Sequence, residues 1–153
     1  MANTYTQIYL QFVFAVCDRT SLIAPEWKDE LYKYITGIVQ SNKHKVLSIN
    51  GPANHIHLFV GYKPHQSIPD LMQDVKGDSS KWINDRRFVH GRFQWQAGYG
   101  AFSYSQSHIG SVARYIERQE EHHRVKSFQR EYRELLDAFG IAYDDRYVLR
   151  DVT

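Results

Sequence analysis

An α+β fold built on one antiparallel sheet is predicted by two observations. Apolar residues alternate at period two in some stretches and recur at helical spacing in others, and the two patterns follow one another as strand, helix, strand, strand, helix, strand. That order is the ferredoxin-like, RRM-like unit, in which helices cover one face of the sheet and leave the other for further helices or for chemistry.

Each element has its own reason. In residues 4–16, Ile8, Leu10, Phe12, Phe14 and Val16 alternate with mostly polar or small neighbours, the period of a half-buried strand. Residues 25–41 open on Pro25, suited to a first helical turn, and stripe Trp27, Leu31, Tyr34, Ile35 and Ile38 along one side. Residues 45–62 hold two apolar stretches split by Asn50-Gly51-Pro52, turn chemistry that predicts a hairpin. Ser67 is placed to cap a second helix ending near Arg86, with Ile68, Leu71, Met72, Val75 and Trp82 buried and Gly77 weakening its middle. The aromatic, glycine-broken residues 92–105 suggest a bent strand or short hairpin. Ser107 is expected to cap a third helix to about His123, with Ile109, Val112, Ala113 and Ile116 facing the core. A fourth helix over 127–139 carries Phe128, Tyr132, Leu135, Leu136 and Phe139 and stops at Gly140, and the tail after it is ambiguous.

With 153 residues and no repeats or linkers, a single domain over 1–153 is expected, residues 127–153 forming its C-terminal helix and tail. No apolar run approaches the roughly 20 residues that cross a bilayer, and the first residues lack the marks of a secretory signal. Cys17 is the single cysteine, which excludes an intramolecular disulfide and a multi-cysteine zinc site and fits a reducing, cytoplasmic setting. Net charge is only +2, too small to mark a dedicated duplex-wrapping protein. Positive charge gathers in the second half, at Arg86, Arg87 and Arg92 and then Arg114, Arg118, Arg124, Lys126 and Arg130; the plain reading is solvated helix faces.

The chemistry-bearing residues begin with His55-Ile56-His57. On a strand, residues two apart share a face about 6.6 Å apart, so both imidazoles look one way while Ile56, Leu58 and Val60 look the other, toward the helices. Such a pair on a rigid strand can bind one divalent ion, although alone it also fits ordinary strand histidines. On the third helix, Tyr115 and Gln119 lie about 40° apart on the wheel, at the margin of the apolar stripe. By themselves they read as a core-edge aromatic and a surface amide. His122 and His123 are candidate ligands too, but their charged surroundings favour surface residues.

Taken together, His55-Ile56-His57, the segment Trp95-Gln96-Ala97-Gly98-Tyr99-Gly100-Ala101-Phe102-Ser103, Tyr115-Ile116-Glu117-Arg118-Gln119 and Lys76-Gly77-Asp78-Ser79-Ser80 resemble the single-tyrosine HUH transposases of the smallest bacterial insertion sequences. The resemblance covers about residues 5–125. It implies that His55, His57 and Gln119 hold Mg²⁺ or Mn²⁺, and that Tyr115, on a helix near the sheet's second face, attacks single-stranded DNA to leave a 5′-phosphotyrosine and a free 3′-hydroxyl. It also implies a substrate strand bearing a hairpin and a homodimer, with Tyr115 used in cis or in trans. Asn54 stands where relatives often carry an acid, which bears on tuning of the metal. Trp95 and Tyr99 are read as core packing rather than base-stacking platforms. A domesticated relative acting on host repeats would keep the same residues. The competing readings are a non-catalytic single-strand nucleic-acid-binding module, whose aromatic signatures are not evident, and a two-histidine-motif phosphoesterase, which needs a second histidine motif.

Overall fold

The computed structural model describes residues 3–119 and 126–152. Four strands, β1 (Tyr9–Ala15), β2 (Lys45–Asn50), β3 (His55–Gly61) and β4 (Gly100–Tyr104), form an antiparallel sheet in the order β2-β3-β1-β4. Helices α1 (Pro25–Ser41) and α2 (Ile68–Arg86) connect them, and α3 (Ile109–Glu117) and α4 (Phe128–Ala138) follow. This is the expected α+β, ferredoxin-like arrangement.

Strand alternation sorts the side chains onto two faces. Leu10, Phe12 and Phe14 of β1 and Ile56, Leu58 and Val60 of β3 bury against Leu31 and Ile35 of α1 and Leu71 and Val75 of α2, making the main core. Pro25 begins α1, and the Ser67 hydroxyl caps α2 by accepting from the Asp70 amide, as the sequence suggested.

Both faces of the sheet are covered. On the second face α3 packs Val112 and Ile116 against Phe59. Alongside it α4 packs Phe128, Tyr132 and Leu136 against Val13, Ala15 and Phe102, with Val148 and Leu149 of the tail joining them. A seam between α3 and α4 therefore runs over the middle strands, β1 and β3.

Three expectations needed correction. β1 is shorter than 4–16, because pairing with β3 and β4 starts at Tyr9. The third helix ends at Glu117, and residues 120–123 of the expected span lie outside the described residues; its N-terminus follows a 3₁₀ turn at Gln106–His108, and Ser107 lies in that turn instead of capping. Arg118 adopts a non-helical conformation there (φ −99°, ψ 21°). Residues 92–99 are an irregular segment with an isolated bridge from Trp95 to Val16, just past the end of β1, before β4 begins. Trp95 packs edge-on against Phe14 and Phe93, and Tyr99 sits beside Phe12, as core aromatics. His122, His123 and Arg124 lie outside the described residues.

Candidate functional site

The seam on the second face is floored by β3. His55 and His57 both point into it, fully buried, because Ile56 between them is committed to the main core. Their Nε2 atoms are 3.1 Å apart. Each Nδ1 is held by an amide: His55 Nδ1 is 2.7 Å from Asn54 Oδ1, and His57 Nδ1 is 2.7 Å from Gln11 Oε1. The Asn54 amide donates its Nδ2 to the Val152 carbonyl, which leaves Oδ1 as the acceptor toward His55. Gln11 in turn reaches the Tyr104 hydroxyl through Nε2. Both rings are thereby set with the proton on Nδ1 and the Nε2 lone pair turned into the seam.

Two helices close the site. From α4, the buried Glu131 brings Oε1 to 3.2 Å from His57 Nε2 and 3.4 Å from His55 Nε2. Phe128, one turn earlier, stacks on the His55 ring at 3.9 Å. From α3, Tyr115 stands edge-on to His57, and its hydroxyl donates a hydrogen bond to Glu131 Oε2. Burial first, then the Glu131 charge and that hydrogen bond, hold the Tyr115 hydroxyl well above the ordinary phenol range; a contact from Gln119 acts the other way. Gln119 is buried, not on the surface, with Nε2 3.4 Å from Glu131 Oε2 and its Oε1 lacking a hydrogen-bond donor among the described residues.

The structure thus gathers His55, His57, Tyr115 and Gln119, all four residues singled out from the sequence, in one place. It adds Glu131, which sequence reasoning missed. The sign was there: Phe128, Glu131, Tyr132 and Leu135 are spaced i, i+3, i+4 and i+7, so an acid sits within the apolar stripe of an amphipathic helix, where a carboxylate is rarely buried without a partner.

The donor set fits a divalent cation. His55 Nε2, His57 Nε2 and a Glu131 oxygen lie within 4.8 Å of one another. Two imidazole lone pairs and a carboxylate converging at one point are mutually unfavourable without positive charge between them, and the unsatisfied Gln119 Oε1 is one more acceptor beside them.

With this geometry in view, the relatives are informative. Residues 4–119 match the family described as IS200-like transposase. The ISDra2 transposase TnpA of Deinococcus radiodurans is 25% identical over 118 residues, spanning 74% of this chain and 84% of that protein. The crystal structure of a transposase from Deinococcus radiodurans R1 is 22% identical, with a TM-score of 0.62 over 78% of this chain and 95% of that one. The structure of a REP-associated tyrosine transposase bound to a REP hairpin shares the fold at 12% identity, with a TM-score of 0.61 over 100% of this chain and 98% of that one. The match spans β1 to the end of the Tyr115 helix, and the chain belongs to the IS200-like transposase family.

Proposed function

We propose that the protein is a metal-dependent transposase-nuclease that cleaves and rejoins single-stranded DNA, with Tyr115 as nucleophile and residues 1–153 working as one domain. One observation carries the reading: the Tyr115 hydroxyl and the His55–His57 pair meet on the same carboxylate, Glu131.

In this reading His55, His57 and Glu131 hold a divalent ion, Mg²⁺ or Mn²⁺, with Gln119 Oε1 as a further ligand. Such an ion, when bound, supplies Lewis-acid stabilisation of charge on the scissile phosphate. The chain's own residues do the rest. Asn54 and Gln11 fix the imidazole tautomers, and Phe128 keeps the His55 ring from turning. Tyr115 remains a neutral phenol until it reacts, because its surroundings disfavour the phenolate. Its oxygen forms a bond to phosphorus, the bond from phosphorus to the 3′ oxygen breaks, and the hydroxyl proton, held first at Glu131 Oε2, ends on the departing 3′-hydroxyl. The phosphotyrosine keeps the bond energy for rejoining. Since Tyr115 meets His57 within one chain, the reading uses the nucleophile in cis, and the homodimer implied by the family resemblance is not required to complete the site.

A second reading, a domesticated enzyme acting on hairpins of host repeats, is favoured by the likeness to the REP-associated transposase, which spans this chain to its end, α4 included. Among the described residues no helix is long and apolar enough to cross a membrane.

The test is a denaturing gel of wild type and Tyr115→Phe incubated with labelled hairpin-bearing single-stranded DNA and Mn²⁺. A covalent band in wild type alone is expected. Equal cleavage by Tyr115→Phe overturns the mechanism, and metal-independent affinity with no adduct in either form points to a binding module.

A further inference from the structure

Asn50, which reads in sequence as part of a turn, is in the fold the last residue of β2. Its register partner is His57. Residues directly opposite on antiparallel strands share a face, so the Asn50 amide and the His57 imidazole both stand on the second face of the sheet, under α3. From there Asn50 Nδ2 donates to the carbonyls of Ile116 and Glu117, 66 and 67 residues along the chain, at 3.1 Å to each. The opposite amide orientation would set Oδ1 against the same two oxygens, so Nδ2 is the atom that faces them. Both amide protons are thereby committed to α3.

These two carbonyls come directly after Tyr115. Consecutive carbonyls of a helix differ by about 1.5 Å in height and about 100° in direction, so one NH₂ group bonded to both fixes how far α3 slides along its axis and how far it turns. α3 needs such a tie. It has nine residues, too few to stay helical alone, and its N-cap, His108, makes no side-chain hydrogen bond. Its buried apolar residues, Val112 and Ile116, rest on Phe59, but apolar contact is non-directional and tolerates a small slide. A hydrogen bond does not. The Tyr115 ring stands edge-on to His57 with centroids 6.0 Å apart. A slip of one residue along α3 would carry that ring about 1.5 Å and about 100° away, out of reach of His57 and Glu131.

We propose that Asn50 is a positioning residue for the nucleophile: through the Ile116 and Glu117 carbonyls it holds α3 at the height and rotation that aim the Tyr115 hydroxyl into the histidine site. It acts through the backbone of α3 and not on the reacting atoms. The proposal rests on the reading of Tyr115 as the nucleophile, and supplies what keeps that residue over β3.

The test compares wild type with two variants. Asn50→Asp keeps the shape, removes both donors and sets a negative charge against the helix carbonyls; Asn50→Ala removes the donors without adding charge. Single-turnover adduct formation on labelled hairpin-bearing single-stranded DNA is followed at rising Mn²⁺. In parallel, nuclear Overhauser effects between the Tyr115 and His57 ring protons are read in metal-free protein. Expected for Asn50→Asp is an adduct rate about a hundredfold lower at saturating Mn²⁺, with Asn50→Ala between it and wild type and the Kd for the DNA within about twofold of wild type. The ring-to-ring effects, present in wild type, are expected to weaken in both variants. Should Asn50→Asp fail to fold, Asn50→Ala decides by the same readouts. Adduct rates within about twofold of wild type overturn the proposal, and so do unaltered ring-to-ring effects. A loss of rate that saturating Mn²⁺ restores also overturns it, because Asn50 would then act on its neighbour His57. If wild type forms no adduct while the ring-to-ring effects still depend on Asn50, the cleavage mechanism falls and the placement of α3 stands. An adduct formed at one rate by all three proteins does the reverse.

Discussion

Glu131 Oε1 lies 3.2 Å from Nε2 of His57, so a carboxylate on the C-terminal helix completes a site whose histidines stand on β3. Glu131 also lies beyond residues 4–119, the part that matches the family. Glu131→Gln keeps the shape and removes the charge. Titration calorimetry is expected to show Mn²⁺ binding weakened about tenfold or more, with Mg²⁺ binding weaker than Mn²⁺ in wild type because imidazoles suit Mn²⁺ better. Unaltered Mn²⁺ affinity in Glu131→Gln would remove the carboxylate from the ligand set.

Gln119 gives two readouts of opposite sign. Its Oε1 is buried without a donor among the described residues, an arrangement that costs about 1–3 kcal/mol in the metal-free chain. Gln119→Met, similar in volume, should therefore leave metal-free stability unchanged or higher in urea melts while weakening Mn²⁺ binding. Loss of stability together with unchanged Mn²⁺ affinity would make Gln119 a structural residue only.

Gly51 sits in the turn that launches β3. A Cβ there would stand 2.1 Å from the His55 carbonyl oxygen, against backbone that cannot swing aside. Gly51→Ala is expected to cost about 1–3 kcal/mol, measured by chemical denaturation, and to lower metal affinity by displacing His55. Tyr32→Phe, which removes the hydrogen bond to the Gly51 carbonyl, should cost about 1 kcal/mol with little effect on metal. A fully stable Gly51→Ala would mean that the turn yields.

Tyr132 gives a pH dependence. Burial pushes its hydroxyl up to about 12, from an ordinary value of 10.0. Its proton is held more tightly in the folded chain, so its contribution to stability is fully present below pH 10 and is lost as pH rises from 10 to 12. Urea midpoints at pH 9 and pH 11 should fall more steeply for wild type than for Tyr132→Phe. Equal slopes would show that Tyr132 titrates as if exposed.

Much of this was legible in the sequence. Alternation in β1 and β3 told which face holds Ile56 and which holds His55 and His57, because a strand has only two faces and apolar side chains claim one of them. The Ser67 cap and the Pro25 start were legible for the same local reason. What escaped was non-local. Gln119 reads as a surface residue until α4 closes over it, and Glu131 gains its meaning only when α3 and α4 lie side by side on the sheet. The early end of α3 escaped as well, since no glycine or proline at Arg118 marks it. The basic residues Arg87 and Arg92 were visible as charge, but not that they line a cleft between α2 and the segment before β4, which Lys76 and Asn84 help tie together.

Ile56 carries a consequence for how this protein can change. It is a core residue wedged between two ligating candidates, so one strand displays hydrocarbon on its obverse and imidazole on its reverse. Inserting or deleting one residue in the 51–54 turn would exchange the two, thrusting histidines into oil and leaving isoleucine in the seam. Drift in length must therefore be confined to other loops, and a chain of this lineage that has shed its chemistry should carry replaced histidines on an unshifted strand.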